Sequence, residues 1–268
     1  KNRRVDVVYW EWLKKSYRQQ AQYRLAHFIN NLGSAIFGFM YIAIWHGVLL
    51  GKEHSSPFSI QDMTHYMAFS QCLIWLTLFL TPGLGIQDSM RTGLIGIEMA
   101  RPASFYLSYI SREMGKIVYN LCYRSLPLGL IFYVFAGFHF PGNMTQWLSA
   151  FVSISLAVAL SLNLFYMVGI TACWTVEIRW AHLTLTTLLV GLGGSMIPLR
   201  FLPAFLAHLT PYLPFASVNY YPTIIYLGKI TTGLLGIFSL QTIWVLVFVL
   251  INLGLTSWAR KKLEIQGG

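Results

Sequence analysis

Charge is what this sequence has least of. Asp, Glu, Lys and Arg together make up 10% of its 268 residues, against roughly 25% in an ordinary globular chain. Apolar residues reach 56% and aromatics 16%. That balance excludes disorder, which requires low hydrophobicity, and reads as an integral membrane protein. The three cysteines, Cys72, Cys122 and Cys173, cannot staple a chain of this length. Each sits alone in an apolar stretch, so they are expected as reduced packing residues without metal or redox chemistry.

Catalytic motifs are equally scarce. The pairs Gly51-Lys52, Gly115-Lys116 and Gly228-Lys229 lack the upstream glycine and following hydroxyl of a GxxxxGK[ST] phosphate cradle, so no ATP hydrolysis is expected by that route. The seven histidines form no HExxH and no paired ligand spacing, and no metal site is expected. His54, His65, His139 and His208 fall on one side by topology and read as solvated loop residues. No GxSxG nucleophile elbow is present. The nine acids, Asp6, Glu11, Glu53, Asp62, Asp88, Glu98, Glu113, Glu177 and Glu264, are assigned to loops or helix ends. A carrier driven by protons or sodium usually keeps a carboxylate near the bilayer centre, and its absence counts against that class. No internal repeat of broken helices supports an inverted-repeat plan.

What the chain does have is length in apolar runs. Six stretches are long enough to cross a hydrocarbon core of about 30 Å as helices: 25–50, 67–86, 117–138, 147–174, 182–199 and 240–259. The first opens on a softer stretch, with His27 and Asn30-Asn31. Six crossings place both termini on one side, and the 19 basic residues choose it. Only Lys52, Arg200 and Lys229 fall on the opposite side. The rest crowd the lead-in, the tail from Arg260 to Lys262, and the loops holding Arg91, Arg101, Arg112, Lys116 and Arg179, with Arg124 at the edge of the third span. The termini are therefore expected to be cytoplasmic, and the net charge of +10 is a topology signal with no nucleic-acid partner. No cleavable signal peptide is expected, because no short apolar core precedes a small-residue cleavage site.

Residues 1–24 form a basic lead-in in which Trp10, Leu13, Tyr17 and Ala21 recur at helical spacing, with Lys14, Lys15, Arg18 and Gln22 on other faces. This reads as an amphipathic helix on the cytoplasmic leaflet in contact with membrane lipids, or else as a helix docked on a partner. Residues 25–259 make the membrane domain and 260–268 a basic tail.

Two segments are more than connectors. Residues 87–116 carry both charge signs, with Leu94, Ile97 and Arg101 on one helical face and Pro102 closing the helix. Residues 198–230 hold Pro198, Pro203, Pro211, Pro214 and Pro222, half of the ten prolines, within an apolar sequence. Such broken backbone cannot face lipid at depth unless protein or water covers it, so short re-entrant helices are expected; a tyrosine-rich interface anchor is the alternative.

In these places the chain resembles the type-2 permeases of ATP-binding-cassette exporters. Arg91, Gly93, Leu94, Glu98, Met99, Pro102 and Lys116 match the family's Arg-x-x-Gly, apolar, Pro and basic-return pattern, although a single residue separates Arg91 from Gly93. Asn219, Tyr220, Tyr221 and Pro222, followed by Leu227-Gly228, look like the branch that includes viologen exporters. The resemblance implies an all-α fold of six transmembrane helices, with a coupling helix at Arg91, Gly93, Leu94, Glu98, Arg101 and Pro102 that meets ATPase subunits. It also implies an outer gate at Asn219, Tyr220, Tyr221 and Pro222, and pairing with a second permease subunit. The chain itself would carry no cofactor; ATP and Mg would sit on the partner ATPase. The expected cargo is an amphipathic or hydrophobic compound such as a drug, peptide or lipid, leaving through a bacterial plasma membrane. Aromatic and weakly polar groups that would line the route are Phe37, Tyr41, Trp45, Trp75, Phe79, Asn163, Tyr166 and Tyr220, each of which also suits ordinary helix packing. The rival classes are an ion-coupled secondary transporter and a membrane scaffold.

Overall fold

The computed structural model describes residues 2–22, 24–52, 56–138 and 140–266. Expectations resting on Glu53, His54 and His139, or on the side chains of Arg3, Arg4, Asp6, Arg24 and Glu264, lie outside the described residues. Among those residues all regular structure is helical. A lead-in α1 (Asn2–Gln20) is followed by α2 (Arg24–Leu49) and α3 (Ile60–Thr77), then by short helices α4 (Ile86–Arg91) and α5 (Ile95–Ala100). Helix α6 (Phe105–Asn120) runs through one π turn at Leu121–Ser125 into α7 (Leu126–Ala136). Then come α8 (Met144–Ile170), α9 (Ala172–Thr175), α10 (Arg179–Leu192), α11 (Ala204–Leu209), α12 (Tyr220–Tyr226) and α13 (Leu234–Gln266).

Five helical stretches are long and apolar enough to cross a membrane: Ile29–Leu49, Ile60–Arg91, Phe105–Ala136, Met144–Thr175 and Leu234–Lys262. They match five of the six expected spans. In the place of the span expected at 182–199 stands α10, of 14 residues, about 21 Å long at about 1.5 Å per residue. It stops because the chain must turn past α12: Gly194 takes φ +76 with Tyr220 against it, and Tyr66 Oη donates to its carbonyl at 2.5 Å. The third span also begins earlier than its hydropathy indicates, at Phe105 rather than 117. Ser104 caps the helix there, and Glu113 and Lys116, one turn apart, neutralise each other at 3.0 Å. Glu113 thus lies within a helix and is 2% exposed, which corrects its assignment to a loop or helix end. Its Oε1 accepts the Thr81 N–H at 2.7 Å, and Lys116 donates to Thr81 Oγ1 at 2.6 Å.

Burial ranks the spans. In the stretches around α3 and α8, 61% of the apolar window is buried, against 11% in α13. Helices α3 and α8 therefore form the centre, α13 lies along α8 at the edge, and every residue of α12 is buried between α8 and α3. Where backbone hydrogen bonding is interrupted, side chains of neighbouring helices supply the partner. Pro127 brings no N–H to the Tyr123 carbonyl, and Asn31 of α2 donates to that carbonyl at 2.8 Å. At the end of α3, Asn120 donates to the Trp75 carbonyl at 3.2 Å and Ser161 to that of Thr77. Arg124, expected at the edge of the span, is instead buried in the π turn. Its guanidinium lies 4.0 Å from the centre of the Trp75 ring and donates to His27 Nδ1, which leaves His27 Nε2 to donate to the Gln20 carbonyl at 2.9 Å.

Helix α1 lies along α6. Of its expected apolar stripe, Tyr17 turns its ring to Tyr119 of α6 and Leu13 brings its backbone against that helix, whereas Trp10 faces outward with Lys14 5.4 Å from its ring centre. The approach is close enough to require glycine: a Cβ on Gly115 would lie 2.2 Å from the Leu13 carbonyl oxygen. Gly115→Leu is therefore expected to destabilise the protein by about 1–3 kcal/mol, the usual range for overpacking, read as a lower thermal midpoint in detergent. Gly96→Ala, which meets nothing within 4 Å, is expected to leave it unchanged or slightly raised. An unshifted midpoint in Gly115→Leu would contradict the α1–α6 contact.

Candidate functional site

The face that carries α1 also carries α4 and α5, and the end of α13 reaches it, with Lys262 5.9 Å from the centre of the Trp174 ring. Its geometry begins where α3 stops. Pro82, Gly83, Leu84 and Gly85 kink the chain through left-handed backbone, with φ +53, +52 and +81 at the last three. Glycine is needed for a second reason. A Cβ on Gly169 of α8 would lie 2.0 Å from the Gly83 carbonyl oxygen, so the two backbones touch and α4 is anchored on the central helix.

Helix α5 is fixed from behind and bare in front. Ile95 and Met99, four residues apart, are buried, while Leu94 and Ile97 are 51% and 61% exposed, with Gly93, Arg101 and Pro102 exposed beside them. The turn between α4 and α5 depends on Gly93 at φ +72, where any other residue is strained. Arg91 points sideways and pairs with Glu177 at 2.6 Å, both about half exposed. Gln87 donates to the same carboxylate at 3.1 Å. This joins α4 to the segment between α9 and α10.

Glu98 turns inward. It accepts from Arg112 Nη1 at 2.9 Å and from Tyr109 Oη, and Arg112 lies 5.2 Å from the centre of the Trp12 ring. One carboxylate thus connects α5 to α6, and through Arg112 to α1. Ser104 N–H, at the start of α6, donates to Tyr9 Oη at 2.8 Å, a second contact with α1. Burial alone would raise the Glu98 pKa, but hydrogen bonds from Tyr109 and Arg112 outweigh it and hold the carboxyl below its ordinary value. Tyr109, Trp12, Tyr9 and Glu177 were missed from the sequence. The partners of Glu98 lie 11 and 14 residues away on another helix, a separation that no local spacing rule covers.

The eight expected route residues do not form one group, although Trp45 and Tyr220 share a buried cluster against which Tyr41 packs. Tyr41 Oη donates to Met196 Sδ at 3.1 Å and Trp45 Nε1 to the Met196 carbonyl at 3.1 Å, with Phe37 exposed on the outer side of α2. Trp75 and Phe79 lie near the end of α3, their rings 4.7 Å apart. Asn163 is buried and accepts from Tyr106 at 2.8 Å and Asn252 at 3.0 Å; Tyr166, also buried, meets Thr256 at 2.7 Å. Tyr220 is buried with its neighbours Asn219, Tyr221 and Pro222 in and beside α12, where Asn219 accepts from Ser70 at 3.0 Å and Tyr221 donates to the Pro211 carbonyl at 2.8 Å. The described residues include no group of three metal-ligating side chains.

Residues 35–267 match a protein-family model described as ABC-2 family transporter protein. No curated protein matches the chain.

Because the Glu98 pKa is lowered on folding, the pairing contributes stability above the unfolded carboxylate value of about 4.3 and loses it as pH falls through the folded value. Protection of the α5 amides, taken as their exchange rate relative to that of an unstructured peptide at the same pH, is expected to stay constant from about pH 8 to 5 and to fall only below about pH 4. Glu98→Gln, which leaves Arg112 without its anion, is expected to cost about 1–3 kcal/mol in denaturation and to remove that acid-side loss of protection. A change in that relative protection between pH 5 and 8 in the wild type would contradict the assignment.

Proposed function

The chain belongs to the ABC-2 transporter family as a multi-pass permease subunit, and we propose that it exports an amphipathic or hydrophobic substrate, driven by separate ATPase subunits that dock on α5. The observation that carries this reading is the exposed pair Leu94 and Ile97, flanked by Gly93, Arg101 and Pro102 on a helix anchored from behind. An apolar contact with a charged rim, on the face that holds the short helices, fits the centre of a protein interface. In this reading the face is cytoplasmic, as the distribution of Lys and Arg favours, and the membrane is a bacterial plasma membrane.

ATP and Mg on the ATPase pair close it and press on α5. Three connections lead from there: Glu98 with Arg112 and Tyr109 to α6, the Gly83–Gly169 contact to α8, and Arg91 with Glu177 to the start of α10. Movement along them changes access to the substrate, which must bind the two states differently for the cycle to run. Helix α10, continued by the ordered turn past Gly194, makes the short fifth of six crossings. Trp10 on the outer face of α1 sits at headgroup level.

A second permease copy meets the exposed faces of α2 and α10, where Ile36, Phe37, Met40 and Trp180, Leu183 are uncovered. Thr184, Thr187 and Gly191 on α10 allow close helix approach there. Phe37, Tyr41 and Trp45 border the route at this junction, and Asn219 to Pro222 form its outer closure. The Asn-Tyr-Tyr-Pro sequence followed by Leu-Gly favours a viologen-exporter-like branch.

Leu94→Asp and Ile97→Asp are expected to lower capture of the co-expressed ATPase at least about tenfold, as loss of a hot-spot contact worth about 2 kcal/mol requires. Thermal midpoints should hold, because both side chains are exposed. Phe205→Asp, on the exposed surface of α11, should capture normally. Undiminished capture by both α5 variants would refute the docking surface.

A further inference from the structure

A cleft of about 920 Å³ lies between α6–α7 on one side and α8 on the other, with α3 at its floor. Both walls belong to helices long and apolar enough to cross a membrane. Its rim is apolar as well: Leu121, Leu126 and Leu130 on one side and Phe151 on the other are exposed. The cleft therefore opens toward whatever surrounds the spans.

Its polar lining is already committed. Ser125 donates to the Cys72 carbonyl at 2.8 Å and Ser155 to that of Phe151 at 2.8 Å. Tyr106 donates to Asn163 Oδ1 at 2.8 Å, and Asn163 Nδ2 to the Ala159 carbonyl at 2.8 Å. At the far end Trp147 Nε1 donates to the Pro141 carbonyl at 2.9 Å. Water entering such a space would find too few of the two to four partners it needs, and an empty cleft would forfeit the dispersion contacts of all its walls. The volume is in the range of sites that hold a small molecule, about 300–1,000 Å³, so an occupant is walled on several sides while remaining open to the surroundings of the spans.

We propose that this cleft holds an acyl chain of a bilayer phospholipid, wedged between α7 and α8. Hydrocarbon fills such a space while making no hydrogen bond. The chain serves as a packing element: α7 rests on α2 and α3, α8 on α12 and α13, and the lipid occupies the interval between the two groups. The inference rests on the membrane setting of these helices and is independent of the transport reading.

The test uses the full-length permease without ATPase, in vesicles containing phosphatidylcholine with a photoactivatable diazirine in one acyl chain, followed by peptide mapping. Adducts are expected to be enriched several-fold at Leu130, Ile154 and Val158 over Ile243 and Leu250 on the exposed side of α13. Filling the cleft with Ala159→Phe, or independently with Gly129→Leu, whose Cβ would meet only Cys72 Sγ at 3.7 Å, is expected to abolish the enrichment in whichever variant retains the wild-type thermal midpoint. Even labelling of all exposed helix faces would overturn the proposal in favour of ordinary annular lipid, and so would enrichment that persists in a folded, filled variant.

Discussion

Backbone polar groups inside hydrocarbon have no water to turn to, and the departures of this fold from plain helix follow from that constraint. Asn31 covers the carbonyl that Pro127 cannot pair, and Asn120 and Ser161 cover the end of α3. The proline-broken stretch before α13 is treated in the same way: α12 is enclosed by protein on every side, and Ser70, Asn219 and Gln241 bond the irregular chain around it. Each such bond ties a span to another helix or to the irregular chain beside it, so satisfying the backbone also fixes how the spans pack. Net values of about 1 kcal/mol per bond understate their importance, because losing one leaves its partner buried and unpaired.

The same economy of polar groups ties together the face that carries α1, α4 and α5. A chain with nine acids uses Glu98 and Glu113 internally, one joining α5 to α6 and the other joining α6 to the turn after α3. Backbone contacts at Gly115 and Gly169 fix α1 and α4 where side chains would hold them apart. In the proposed coupling role, these contacts are the routes by which a push on α5 would reach α6 and α8 within the one chain.

Much of this architecture was legible in the sequence. Hydropathy located five spans because a membrane helix must be apolar for about 20 residues whatever its neighbours do. The exposed set Leu94, Ile97 and Arg101 followed from helical spacing, and the half-polar start of the first span, with His27 and Asn31, marked the place where α2 meets the π turn. What stayed hidden depends on partners distant in sequence. Glu98 reads as a surface charge until Tyr109 and Arg112 come round to it. Helix α6 reads as a loop because Arg112, Glu113 and Lys116 lower its hydropathy, although those charges are paired. Tyr41, Trp45, Asn163 and Tyr166 looked alike as aromatic or weakly polar residues in spans, yet the first two meet the Met196 turn and the others bond to α6 and α13.

The central claim is that this subunit has no engine of its own and is worked through α5. The direct measurement is substrate movement across vesicles containing the permease alone, the ATPase alone, or both, with and without ATP. The expected result is ATP-dependent movement only where both proteins are present, unaffected by collapsing a proton gradient. Movement by the permease alone at the rate of the complete system would contradict the claim.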